Sequence, residues 1–269
     1  MNDLTLFGTV AFPIHPSAMR GIVECPWRVV MRFLDMEPEE GDKPAADTGS
    51  AMHKAAAALH TGNTVAESIA IMGGGLSAYP AADLVDAANM FLQYSQDTRN
   101  TRAKVILVEE PIAFQIQAHE TDPTGEPIVV NGRCDQVRLN DYGFKAWDIK
   151  TSKRDPNELL AESWFQMAGY CVGTTMRLRE RGYPDAIVQP GGLICPRKYG
   201  GNVESSNVFW HHNFKFEDIE QLFLPLRQRV AQIRAGHLYH FPNSDCRWCH
   251  QRTPDVCFPK LNAYKRSLL

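Results

Sequence analysis

No stretch of about eighteen consecutive apolar residues occurs in this 269-residue sequence, which argues against a transmembrane helix. Its amino terminus, Met1-Asn2-Asp3-Leu4, has no basic segment leading into an apolar run. No secretory signal is therefore expected, and a cytoplasmic protein is the default. Internal repeats and low-complexity tracts are missing too. Cysteine is sparse: seven residues, an odd number in a chain this long, do not make a disulfide scaffold. In a reducing compartment, clustered cysteines read as metal ligands. Positive charge is not in excess either, with a net charge of −3 and a pI near 6.3, and this counts against a nucleic-acid ligand, since such binders often carry a basic domain. Carboxylates that hold divalent cations would account for part of that balance, and basic residues still gather locally, as at Arg177, Arg179 and Arg181. What is present is ordinary globular composition, 44% hydrophobic and 22% charged, long enough for one large domain with a substantial core.

The segment Glu37 to Ala46 (EPEEGDKPAA) is charged and holds two prolines, so it reads as a loop. Asp47-Thr48-Gly49-Ser50 then reads as the cap of a helix over Ala51 to Leu59. A second helix is expected over Ala81 to Gln96. From Lys104 the character changes. Val105 to Pro111 and Ile112 to Ile116 are strand material, with Pro111 marking a bulge or an edge. Ile128 to Val130, Cys134 to Leu139 and Phe144 to Lys150 continue a sheet, the last two separated by the turn residues Asn140-Asp141-Tyr142-Gly143. One long helix follows, with Asp155 as its cap, Pro156 at its first position, and an end near Gly182 to Pro184. Strands at Leu193 to Cys195 and Val208 to Trp210 precede a helix from Phe216 to Ala235 that contains Pro225. The fold class is α/β, a mixed sheet flanked by helices.

The turn sets a register. If Asp141-Tyr142 is a two-residue loop, Asn140 pairs with Gly143, and counting back along both strands places Asp135 opposite Asp148. Their Cβ atoms would then lie about 4.5–5.5 Å apart. Lys150, two residues on, shares the face of Asp148. Like charges directly opposed on a sheet are destabilising unless something neutralises them; a divalent cation does so, and hard oxygen donors suit magnesium or manganese. A D-x-K triplet by itself is most often a solvent-facing hairpin, so the weight rests on the register.

Gly132-x-x-Asp135 followed by Asp148-Ile149-Lys150 resembles the core of the PD-(D/E)xK nucleases, in particular their RecB-like exonuclease branch. Gly49-x-x-x-His53 is similar to that branch's upstream histidine motif, and Gln166-x-x-x-Tyr170 to its Q-x-x-x-Y motif, whose spacing puts both side chains on one helix face. Taken singly, His53 reads as an exposed helix histidine and Tyr170 as a core aromatic; the constellation lies in their order. Asp148 departs from the branch, which more often has glutamate there. The resemblance implies a restriction-endonuclease-like core, here about 47–215, within a single nuclease domain spanning 1–269. It also implies that His53, Asp135, Asp148 and the carbonyl of Ile149 ligate Mg2+ or Mn2+. Lys150 would serve the attacking water and the developing charge, and Gln166 and Tyr170 would position lysine or strand. Glu109 or Glu110 is a further candidate.

Cys246-x-x-Cys249 and Cys257 form a C-x2-C-x7-C pattern, a metal-ligand spacing one thiolate short of four. Cys25, in Glu24-Cys25-Pro26, is the fourth candidate, about 220 residues upstream. This one-plus-three arrangement resembles the iron–sulfur staple of RecB-like and CRISPR-associated exonucleases, which implies a [4Fe–4S] cluster joining segments near 17–36 and 240–260. Zinc in the same four cysteines is the competing reading. Cys134, Cys171 and Cys195 sit in apolar stretches and read as buried thiols.

The implied function is a metal-dependent DNA exonuclease in recombination, repair or phage DNA processing, with DNA and a recombination or helicase protein as partners and an oligomer among the family's options. Two alternatives stand beside it, a catalytically silent iron–sulfur protein that binds nucleic acid or a partner, and an electron-transfer protein.

Overall fold

The computed structural model describes residues 3–26, 29–30, 43–77, 79–152, 154–196, 206–209 and 216–238. Among them the elements run α1 (Met19–Glu24), α2 (Lys43–His60), α3 (Val65–Gly75), α4 (Ala81–Gln96), α5 (Thr98–Thr101), β1 (Lys104–Ile116), β2 (Ile128–Asn140), β3 (Gly143–Ile149), α6 (Pro156–Glu162), α7 (Trp164–Glu180), β4 (Val188–Cys195), β5 (Ser206–Phe209) and α8 (Phe216–Arg234). No helix among the described residues is long and apolar enough to cross a membrane.

The sheet is mixed, in the order β1-β2-β3-β4-β5. Strands β2 and β3 pair antiparallel with Asn140 against Gly143 and Gln136 against Trp147, the register the turn predicts. Gly143 takes a positive φ of 95° to close that turn. β3 and β4 run parallel, with α6 and α7 between them in the chain, and β5 adds antiparallel to β4. Pro111 is tolerated inside β1 because β1 is an outer strand of the described sheet. Within β1, Glu109 has a positive φ of 47°, the only such value among described non-glycine residues; the register irregularity the sheet shows lies between Ala146 and Trp147, where β3 pairs β4.

The chain divides into two compact units. One comprises Asp42–Ala113 and Gly132–Asp218; the other, Met1–Gly41, Phe114–Asn131 and Ile219–Leu269. In the first, Ala51, Met52, Ala55 and Ala56 of α2, Met72 of α3, and Ala87, Phe91 and Tyr94 of α4 pack with Trp147, Ile149 and Ile194. Strand alternation sends Asp135 and Asp148 to the opposite face, where Gln166 of α7 bonds Asp148. On the helical face a polar chain is buried: Arg138 donates to Gln136 Oε1, Gln136 Nε2 donates to Tyr94 Oη at 2.5 Å, and Tyr94 Oη lies 2.5 Å from His60 Nε2. With its oxygen already accepting from Gln136, the Tyr94 hydroxyl donates to a neutral His60. Burial, and then the Arg138 charge, push the His60 pKa down to about 4.

An unfolded chain takes up that proton near pH 6.5. The stability contributed by neutral His60 is therefore complete above about pH 7 and is lost as pH falls toward 4. Urea midpoints measured between pH 7.5 and 5 should fall, and His60→Gln should flatten the dependence; an equally steep decline in that variant would assign it elsewhere.

In the second unit, α8 presents Ile219, Phe223, Leu226, Val230 and Ile233 as one buried stripe, and Phe223 stacks on Phe114 with centroids 6.4 Å apart. Pro225 lies inside α8 on its exposed side. The amino-terminal segment joins this unit through backbone bonds from Ile14 to Val129 and from Asn131 to Ile14.

Several expectations need correction. Residues 43–46 belong to α2 rather than to a loop, because a proline such as Pro44 suits a helix's first turn, and Asp47 to Ser50 lie inside that helix instead of capping it. The single helix expected after Asp155 is two, parted at Ser163. Helix α3 had no counterpart in the sequence reading. Of the expected segments, 37–42, Trp210 and the cysteines at 246, 249 and 257 lie outside the described residues.

Candidate active site

The site forms where the end of β3 meets α2 and α7. Gly49 sets the approach of α2, since a Cβ there would lie 3.0 Å from Thr151 Oγ1. One turn on, His53 donates from Nε2 to the Ile149 carbonyl at 3.0 Å; the acceptor has no proton, so the tautomer is fixed by its partner. Nδ1 then faces two carboxylates, Glu109 Oε1 and Asp135 Oδ1, each 3.4 Å away. Asp135 Oδ2 accepts from the Ile149 amide at 2.6 Å, so β2 and β3 hold each other at this point. The ligand atoms of His53, Glu109 and Asp135 all lie within 4.8 Å of one another.

Beside this trio stands a second cluster. Lys150 Nζ lies 2.9 Å from Asp148 Oδ2 and donates to Gln166 Oε1 at 3.0 Å. Gln166 Nε2 donates to Asp148 Oδ1 at 3.0 Å and to Tyr170 Oη at 2.6 Å. Because lysine only donates and carboxylate only accepts, the Gln166 amide has one satisfactory orientation. Asp148 is 2% exposed. Its Oδ2 takes no hydrogen bond, the Lys150 contact being out of hydrogen-bond geometry.

Burial, reinforced by the charge of Asp135 and only partly opposed by Lys150, raises the Asp148 pKa to about 6. Burial works to lower the pKa of His53, but Asp135 and then Glu109 outweigh it and hold the imidazole well above its ordinary value. Burial likewise opposes the charge on Lys150, and Asp148 restores it, leaving its pKa raised. Two carboxylates and an imidazole whose ligand atoms lie within 4.8 Å of one another are the chemistry of a divalent-cation site, and the oxygen-rich donor set suits magnesium or manganese. The residues present fit such an ion.

His53, Asp135, Asp148, Gln166 and Tyr170 lie on the kinds of element expected, while Lys150 directly follows β3; the structure sorts them into two groups. His53 and Asp135 converge with Glu109, while Asp148 turns to Lys150 and Gln166. The Ile149 carbonyl accepts from His53. Of the two candidate glutamates, Glu109 joins, and Glu110 is buried between Arg177 and Arg181. That pairing also uses part of the basic cluster on α7. Position alone does not separate Glu109 from Glu110; the backbone at Glu109 has a positive φ, which breaks the regular alternation of β1 at that residue.

Over residues 14–257 the sequence matches the profile of the PD-(D/E)XK nuclease superfamily. The chain belongs to that superfamily. Membership points to nuclease activity and a nucleic-acid substrate. A solved structure described as the crystal structure of SSO0001 is 16% identical, with 92% of this chain and 85% of that one covered and a TM-score of 0.44. No curated protein matches the chain.

If Gly49 is what lets α2 reach β3, Gly49→Val should cost about 1–3 kcal/mol by overpacking against Thr151. It should also weaken Mn2+ binding by displacing His53. Calorimetric titration beside a thermal melt checks both; unchanged metal affinity would show that α2 docks without this close approach.

Proposed function

We propose that this PD-(D/E)XK protein is a Mg2+- or Mn2+-dependent DNA exonuclease of the RecB-like branch, cytoplasmic and working as one nuclease domain in recombination, repair or phage DNA processing. The observation that carries the reading is the convergence of His53, Glu109 and Asp135 beside a lysine fixed by Gln166 and Asp148. A divalent cation in such a site neutralises phosphate charge and lowers the pKa of water. Asp135, Glu109 and His53 would hold it, with Asp148 and the Ile149 carbonyl as the further ligands the resemblance implies. The ammonium of Lys150 offers its charge to the oxygen that becomes negative as the phosphodiester breaks. Gln166 keeps that ammonium aimed, and Tyr170 keeps Gln166 aimed.

Cys25, Cys246, Cys249 and Cys257 would hold a [4Fe–4S] cluster in this reading. Cys25 caps the end of α1, where its amide bonds the Gly21 carbonyl at 2.8 Å. Four thiolates suit iron–sulfur or zinc chemistry. A cluster closing so long a loop would stabilise chiefly by constraining the unfolded chain. Cys249→Ala should therefore bleach the visible absorbance and lower the melting temperature; a variant that kept both would end the assignment, and metal analysis of the native protein separates iron from zinc.

The deciding experiment uses anaerobically purified protein with end-labelled linear and circular DNA, single- and double-stranded, with Mg2+, with Mn2+ and with chelator. Metal-dependent loss of linear DNA with circles spared supports an exonuclease, possession of an end being the only difference. Cleavage of circles makes it an endonuclease of the same fold. Retained metal binding with no cleavage of any substrate favours a non-cutting binding protein.

A further inference from the structure

Arg133 lies on β2 two residues before Asp135 and so projects from the same face of the strand. Its side chain is 60% exposed. Among the described residues its one partner is Glu109, whose Oε2 lies 3.8 Å from Arg133 Nη1. Glu109 thus faces two ways, with Oε1 toward His53 and Oε2 toward Arg133. The positive φ at Glu109 places its carboxylate between the two. An ion pair this exposed and this long contributes about 0–1 kcal/mol at most, so little opposes its exchange for a better partner.

We propose that Arg133 is the residue that grips a backbone phosphate of the nucleic-acid strand next to the catalytic centre, and that Glu109 links this grip to the metal. The inference rests on the nuclease reading above. Glu109 shares its charge between His53 and Arg133 in this structure. A divalent cation among His53, Glu109 and Asp135 draws that charge inward and leaves the guanidinium without a carboxylate. Arginine stays protonated throughout, and its planar fork matches a phosphate with two parallel hydrogen bonds. The acidic site repels a polyanion, and the protein as a whole carries a net charge of −3. A free cation at the rim, beside the carboxylates, is what such a surface needs to admit a phosphate backbone. Metal and strand then bind with positive coupling, and by linkage each raises the affinity for the other to the same degree.

The test measures binding rather than cleavage. The chain carrying Lys150→Ala, in which cleavage is expected to be about 10²–10³-fold slower, is titrated with a fluorescein-labelled single-stranded oligonucleotide with and without Mg2+, over a range of KCl, on a timescale short of cutting. Adding Arg133→Ala should weaken binding in Mg2+ about tenfold and lower the salt slope by about one. It should also shrink the enhancement that Mg2+ gives. Without DNA, Arg133→Ala should bind Mn2+ as tightly as its parent or more tightly, because a competing positive charge is gone; a pure folding defect would weaken it. Arg133→Lys should restore the salt slope but only part of the affinity.

Equal DNA affinity and equal Mg2+ enhancement with and without Arg133 would overturn the proposal while leaving the nuclease reading intact. A drop in affinity that is the same with and without Mg2+ would keep the phosphate contact and overturn the link through Glu109. A parent protein that binds Mn2+ but neither binds nor cuts DNA would remove both the reading and the inference.

Discussion

Arg234→Leu should unfold the protein at markedly lower urea concentration, a loss of about 3–5 kcal/mol. Arg234, the last residue of α8, is wholly buried with its partner Asp122, the two side chains having zero exposure. Its Nη1 reaches Asp122 Oδ2 at 2.9 Å and the Glu126 carbonyl at 2.6 Å, and its Nε donates to the Phe7 carbonyl at 2.9 Å. Asp122 is otherwise well supplied, its Oδ1 accepting from both the amide and the hydroxyl of Thr124. One guanidinium thus ties the amino-terminal segment, the loop before β2 and the end of α8 within one unit.

Removing it leaves a buried carboxylate without its counter-charge and carbonyls without their donor, and that desolvation accounts for most of the loss. Arg234→Lys should fall in between, because a point charge cannot reproduce donors spread over a planar fork. Replacing both partners, Arg234→Leu with Asp122→Leu, should recover part of the stability, since no buried charge is then stranded. Denaturant titration of the four proteins checks the pattern. A double variant no better than Arg234→Leu would place the cost in the lost carbonyl bonds.

What could be read from the sequence divides along physical lines. The β2–β3 hairpin was legible because a short loop fixes its register arithmetically, and every pair from Asn140–Gly143 to Gln136–Trp147 follows from it. Positions named by motif spacing fell into place for the same reason: Gly49 and His53 lie one turn apart on α2, as Gln166 and Tyr170 do on α7. The start of α2 was hidden because charge and proline imitate a loop. Helix α3 was hidden behind Gly73-Gly74-Gly75, although Thr64 and Glu67 form a capping box that signals its start.

The partition of the acidic residues was not legible at all. Strict alternation along β1 predicts a face for each glutamate only where the strand is regular, and Glu109 sits at the irregularity. Nor does a face assignment say which atom a carboxylate meets. Asp148 and Asp135 share a face, yet one meets lysine and amide while the other meets imidazole.

That division gives the largest effect expected on catalysis. Lys150→Ala should lower the single-turnover cleavage rate by about 10²–10³-fold, the scale set by losing one donor aimed at developing negative charge. The fold should persist, because the side chain lies at the rim with 27% of its surface exposed and fills no core volume. Asp148 would lose its nearest cation and, buried as it is, would hold a proton to still higher pH. Gln166 would keep its bonds to Asp148 and Tyr170, so the helix α7 contact remains. Metal affinity should be unchanged or slightly raised, since the His53–Glu109–Asp135 group loses a nearby positive charge and no ligand. Asp135→Asn should do the opposite, losing metal affinity and rate together. Lys150→Arg should fail to restore the rate, because the site offers its ammonium only Gln166 Oε1 and Asp148 Oδ2. Calorimetric Mn2+ titration beside single-turnover kinetics separates the variants. A Lys150→Ala protein that cleaves within tenfold of native would show that the two clusters do not divide the work as their contacts indicate, and that the metal site alone carries the reaction.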